Sequence, residues 1–125
     1  VNIKDYNIKI RINSVVCKNN LHEFNHLIKF LNSYKIYSWR IFKFMPLREK
    51  AVTNKDKFNI SMDEYLSVVK TIKNQSNIKK IDTRIEEDME KKYILILANG
   101  DIVVTNEGKD EKVGNALKKT LSEFF

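Results

Sequence analysis

A chain of 125 residues, 42% hydrophobic and 31% charged with three Gly and one Pro, fits one modest folded domain or part of one and excludes a disordered or fibrous class. Lysine and arginine outnumber aspartate and glutamate by 23 to 16, a formal charge of +7 that favours polyanions and acidic partners and equally describes a lysine-rich solvated surface. The lone Cys17 excludes a disulfide framework and a cysteine-ligated cluster or zinc site made by these residues alone, and it fits a reducing cytoplasm.

No apolar run approaches the roughly 20 residues that span a bilayer, so no membrane association is expected. The opening residues lack a signal-peptide pattern, and the start at Val1 rather than methionine implies a fragment or a processed chain.

The first strand is predicted over 7–16. Ile8, Ile10 and Ile12 alternate with Lys9, Arg11 and Asn13, which puts an apolar row on one face and a polar row on the other. A helix follows over about 21–33, with Asn20 as N-cap and Glu23 three residues on; Phe24, Leu27, Ile28 and Leu31 make its apolar stripe. The second strand, 37–44, places Ser38 and Arg40 on one face and Trp39 on the other, where it packs beneath a helix. A polar, lysine-rich loop is expected from Leu47 to about Asn59.

The next helix starts at Ser61, which forms a capping box with Glu64, while Ile60 and Tyr65 supply a hydrophobic staple. Leu66, Val69 and Ile72 continue the apolar stripe to about Asn74. A third strand is expected over 78–83, then an acidic helix or turn at 86–90. Residues 93–104 read as a hairpin with a type I′ turn at Asn99 and Gly100. A loop through Gly108 and Gly114 leads to a last helix over about 115–124, carrying Leu117, Leu121 and Phe124.

Strand, helix, strand, helix, strand predicts an α/β fold with right-handed crossovers and a parallel sheet. The expected fold is a βαβαβ segment of a partial TIM-type barrel over 1–85, with a C-terminal β-hairpin and helix over 86–125. In a barrel, the row holding Arg11, Asn13 and Arg40 faces the lumen. Buried charge there needs an anionic partner, so a phosphate or carboxylate ligand is inferred. The competing reading puts Lys9 and Arg11 on the solvated face of an ordinary strand.

The run from Ile10 to Val16, a helix, and then Ser38 to Phe44 resembles the later half of the radical S-adenosylmethionine barrel, closest to the viperin-like nucleotide dehydratases. In that family a basic residue, Ile and Asn open the first strand, and Trp followed by a basic residue lies in the second. Tyr93 to Ile96 resembles the tyrosine-led strand near the family's carboxyl end, and Gly108 to Asp110 the loop after it. The family's three-cysteine cluster motif and its glycine-glycine-glutamate segment are missing here. Ser38 stands where the family has a basic residue before the Trp.

The resemblance implies the C-terminal part of an enzyme whose intact form uses S-adenosylmethionine and a [4Fe-4S] cluster held by an N-terminal barrel half. By itself this segment should be inactive. Arg11 and Arg40 would meet the phosphates of a nucleotide-like substrate, Asn13 the substrate or cofactor ribose, and Tyr93 and Lys109 the barrel mouth. Lys9 would contribute only to the long-range field. Open strand edges make self-association of such a segment plausible.

A second hypothesis is a non-catalytic basic α/β module that binds nucleic acid or an acidic partner; a third is a purely structural domain. His22 and His26, four apart on a helix, have metal-ligand spacing without a third ligand and read as surface residues. Cys17 reads as a half-buried thiol. No phosphate loop, zinc pattern or serine-nucleophile elbow is present.

Overall fold

The computed structural model describes residues 6–47, 49–89, 94–106 and 109–118. They fall into two compact units, one made of Val1–Phe44 with Asp56–Arg84 and one of Met45–Lys55 with Ile85–Phe125. The fold is mixed α/β, with one parallel and one antiparallel sheet.

The first unit is a three-stranded parallel sheet of β1 (Arg11–Val16), β2 (Ser38–Lys43) and β3 (Ile81–Arg84), in that order. Parallel neighbours need a crossover, and helix α1 (Phe24–Leu31) supplies the first. Helices α2 (Glu49–Thr53), α3 (Lys55–Phe58) and α4 (Met62–Gln75) fall between β2 and β3. The stretch expected as a lysine-rich loop therefore holds two short helices. Their sequences lack a long apolar stripe, which is the signal a periodicity reading depends on.

Helix α4 begins as its capping box requires. Ser61 Oγ accepts the Glu64 amide N–H at 3.1 Å, and the Glu64 carboxylate accepts the Ser61 amide N–H at 2.8 Å. These bonds hold the Glu64 carboxyl below its ordinary value, the Ser61 amide contributing most. The buried stripe is Tyr65, Val68, Val69 and Ile72, at i, i+3, i+4 and i+7. Leu66, expected in that stripe, is about half exposed, because one residue on from Tyr65 turns the side chain roughly 100° away.

Helix α1 starts three residues later than expected. Asn20 bonds backward instead of capping: its Oδ1 accepts the Cys17 amide at 2.9 Å and its Nδ2 donates to the Val15 carbonyl at 2.8 Å. A 3-10 turn, Lys18–Asn20, results. Phe24, Ile28 and Leu31 of α1 are buried.

Strand β1 is shorter than its alternating pattern, leaving Ile8 exposed and Ile10 half-buried ahead of it. Strand β3 likewise starts at Ile81 rather than Ile78. Trp39 and Ile41 of β2 are fully buried. The Trp39 ring stacks on Phe24 at 6.5 Å between centroids, and its indole N–H donates to Ser14 Oγ at 3.0 Å. The Tyr65 hydroxyl donates to the Ile41 carbonyl at 2.8 Å. The anchoring contacts of α1 and α4 thus reach residues on one side of the sheet, as the pattern of Trp39 implied. Ile12 on that side is only half-buried.

The second unit holds α2, the short acidic helix α5 (Glu86–Met89), and an antiparallel sheet of β4 (Ile94–Ile96), β5 (Asp101–Asn106) and β6 (Lys109–Asn115). The hairpin of β4 and β5 forms, but with a three-residue loop. Leu97 donates its amide to the Asp101 carbonyl, Gly100 donates to the Leu97 carbonyl, and Gly100 takes φ +82°. Ala98 and Asn99 are thus the central residues of the turn, with Gly100 the left-handed residue that closes it. Asn99 Oδ1 accepts the Asp101 amide at 3.0 Å, which a two-residue turn would not place there.

Residues 109–115, expected as loop, are strand β6, with a bulge opposite the step from Ile102 to Val103. The expected helix from Asn115 is absent through Lys118, where the strand ends in a turn. The rest of that helix, with Leu121 and Phe124, lies outside the described residues. No described helix is long and apolar enough to cross a membrane.

Candidate functional site

Parallel pairing puts register partners on the same face. Arg11 stands opposite Ser38, Asn13 opposite Arg40, and Arg40 opposite Asp82. The strand pattern therefore delivers Arg11, Asn13 and Arg40 to one side, opposite the face where Trp39 and Ile41 bury. They border a depression of about 230 Å³ whose walls also include Ser38, Lys80 and Asp82.

The expected electrostatics of Arg40 need correction. Its charge has a partner within the chain: Nε lies 3.0 Å from Asp82 Oδ2, and Arg84 Nη1 reaches Asp82 Oδ1 at 2.7 Å. Arg40 is also not deeply buried, with 38% of its side chain exposed. Asp82 thus supplies a counter-charge that the sequence reading assigned to a ligand. Asp82 was visible in the sequence as the polar member of an alternating Ile81, Asp82, Thr83 strand. What hid its role was the register, since only pairing with β2 sets it beside Arg40.

A second cluster escaped sequence reasoning. Tyr37, just before β2, donates its amide to the Ile10 carbonyl at 2.8 Å, which holds it beside the start of β1. Three cations surround its ring: Lys9 Nζ at 5.0 Å from the centroid, Lys80 Nζ at 5.2 Å and Arg11 Cζ at 5.6 Å. Lys80 most strongly, with Lys9 and Arg11 adding, holds the phenol below its ordinary value. Lys9 and Arg11, two apart on one strand, were the available signal; Lys80, over 40 residues further on, gave none.

Lys109 opens β6 in the second unit, exposed and paired with Asn106. Tyr93 lies outside the described residues. Cys17 is half-buried, as expected. His22 is exposed, and His26 Nδ1 lies 3.6 Å from Glu23 at the surface. Among the described residues no group of three His, Cys, Asp or Glu could hold a metal ion. With one cysteine in the whole chain, its residues do not fit an iron–sulfur cluster.

Fold and site define a parallel α/β sheet with helix-anchoring aromatic and aliphatic residues on one face and a cation-rich, partly ion-paired depression on the other. No protein-family model matches the chain. A curated protein does: over 94 residues, 75% of this chain, it is 31% identical to an S-adenosylmethionine-dependent nucleotide dehydratase of Flammeovirga pacifica. The chain spans about a third of that relative's length (31%). The similarity supports the relationship that the strand motifs imply.

Proposed function

We propose that this chain is the carboxyl-terminal part of a radical S-adenosylmethionine nucleotide dehydratase of the viperin-like kind, where it forms a segment of a partial TIM-type barrel. The supporting observation is the register that sets Arg11 and Asn13 of β1 against Ser38 and Arg40 of β2 on one open face, in a chain similar to a nucleotide dehydratase. Strands β1 and β3 are the outer strands of their sheet, so further barrel strands have edges to join.

In this reading the lumen face holds an anionic, nucleotide-like substrate. The Arg11 guanidinium binds phosphate oxygens in a bidentate fork, and Arg40 does so while sharing Asp82. The Asn13 amide hydrogen-bonds sugar hydroxyls. S-adenosylmethionine and a [4Fe-4S] cluster supply hydrogen abstraction by a deoxyadenosyl radical in this family; the cluster would be held by residues outside this chain. What these residues do themselves is bind and orient the substrate. A reducing, cytoplasmic setting suits both the free thiol of Cys17 and that chemistry.

The test is anaerobic reconstitution with iron and sulfide of this chain, alone and extended by the coding sequence upstream of it. Each preparation is incubated with S-adenosylmethionine, a reductant and each nucleoside triphosphate in turn. The expected result is nucleotide-dependent release of 5′-deoxyadenosine from the extended protein and none from the chain alone. No nucleotide-dependent release from the extended protein would overturn the proposal.

A further inference from the structure

We infer that the end of the first unit where the strands begin is a docking surface for single-stranded RNA, on which exposed aromatic rings stack bases and lysines meet phosphates. It does not rest on the dehydratase reading, since barrel enzymes react at the opposite, carboxyl ends of their strands.

Three chain segments meet at this end. Residues 6–10 lead into β1, 29–37 carry the end of α1 into β2, and 73–80 carry the end of α4 into β3. Hydrogen bonds tie them together. Tyr37 donates its amide to the Ile10 carbonyl at 2.8 Å, and Trp39 donates its amide to the Lys80 carbonyl at 2.9 Å. Asn32 Nδ2 donates to the Gln75 carbonyl at 2.9 Å, and Asn32 Oδ1 accepts the Asn77 amide at 2.8 Å.

The charge of these segments is one-sided. They hold six lysines (Lys9, Lys29, Lys35, Lys73, Lys79 and Lys80), all exposed, and no carboxylate. Lys29 and Lys73 fall in the last turns of α1 and α4, where the helix dipole accounts for them. The other four lie outside the helices. Glu23, Asp63 and Glu64 stand at helix starts, the opposite end of the unit.

The aromatic side chains are a second, independent observation. Every exposed aromatic among the described residues is at this end: Tyr6, Phe30, Tyr34 and Tyr37, between 36% and 59% exposed. The Phe30 and Tyr34 rings lie 5.1 Å apart. Lys9 Nζ and Lys80 Nζ stand 5.0 and 5.2 Å from the Tyr37 centroid, so ring and cation are interleaved.

Rings alone would suit an apolar partner, and cations alone any polyanion. Together they suit a strand whose phosphates alternate with unpaired bases. A duplex hides its base faces and could use only the lysines. An anionic bilayer takes up an apolar helix face, and the stripe of α1 is already buried. RNA is favoured over DNA because three of the four rings carry a phenol hydroxyl, and Asn74 and Gln75 are exposed in the same segments. These groups are partners for the 2′-hydroxyl.

The test is fluorescence anisotropy of a labelled oligouridylate of about 15 nucleotides, within the usual range of single-strand sites, titrated with the full chain. Phe30→Ala and Tyr34→Ala should each weaken binding at least about five-fold, the loss of one stacked base. Lys35→Ala and Lys79→Ala should each lower the slope of log affinity against log salt by about 0.7, one phosphate contact apiece. Lys18→Ala removes the same charge from an exposed position beyond the far end of β1 and should leave affinity within about two-fold, because distant charges are screened. All five side chains are exposed, so the variants should melt with the wild type. Silent ring variants, with Lys18→Ala matching the other lysine losses, would mean a diffuse field and overturn the surface. Duplex RNA bound as tightly as the single strand would overturn it too, and equal affinity for oligothymidylate would overturn the choice of RNA. Sedimentation with phosphatidylserine vesicles in place of RNA binding would overturn the proposal in favour of a membrane.

Discussion

Replacing Asp82 with asparagine should tighten polyanion binding while loosening the fold slightly. The carboxylate bridges Arg40 at 3.0 Å and Arg84 at 2.7 Å, with about a third of each side chain exposed, so solvent screening keeps each pair to about 0.2–1 kcal/mol. Losing both should cost about 1 kcal/mol, or roughly 3–6 °C in Tm for a chain of this size. The gain in binding comes from removing a negative charge beside the depression. At about 8 Å in a water-like dielectric one unit charge acts with about 0.5 kcal/mol on each ligand charge. For a ligand of three charges that is about 1.5 kcal/mol, roughly ten-fold in affinity at low salt. At physiological salt screening reduces it to roughly two- to three-fold. Titration with tripolyphosphate at both salt concentrations measures this, with Asp63→Asn as the control. Asp63 lies in the exposed first turn of α4, so its substitution changes net charge equally but elsewhere. Asp82→Asn binding no more tightly than Asp63→Asn would refute the claim that Asp82 competes with an anion for the site.

Tyr65→Phe removes a fully buried hydroxyl from the Ile41 carbonyl and should lower stability by about 1–2 kcal/mol in urea unfolding, with m unchanged. Ser61→Ala removes the N-cap of α4 and should cost about 1 kcal/mol, read as a lower Tm. The Glu64 half of that box sets a pH dependence. Its folded pKa is depressed, so its contribution is present above the ordinary glutamate value of about 4.3 and is lost as pH falls through the lower, folded value. Thermal melts of wild type and Glu64→Gln should accordingly differ near neutral pH and converge in acid; a gap that persists in strong acid would refute the assignment. Gly100→Ala should destabilise the antiparallel sheet by about 1–2 kcal/mol, since φ is +82° and the new Cβ would meet Leu117 Cγ at 2.6 Å. Amide exchange across β4 and β5 should rise in that variant.

Where local chemistry decides structure, the order of residues was enough. The 3.6-residue stripe of Phe24, Ile28 and Leu31, the capping box at Ser61 and Glu64, and the strand alternation around Trp39 all specify conformation within a few positions of themselves. They led directly to the parallel βαβαβ order and to one face shared by Arg11, Asn13 and Arg40. The errors arose where two local signals competed. Asn20 had donors and acceptors on both sides and bonded back to Val15 and Cys17, and Gly100 could close either of two turns. The electrostatics of the site were not legible at all. Whether Arg40 needs an anion depends on Asp82, and whether Lys9 and Arg11 form a cluster depends on Tyr37 and Lys80, residues brought alongside only by strand pairing. Coulomb energy follows distance in space, and separation along the chain carries no record of that distance until the strands have paired.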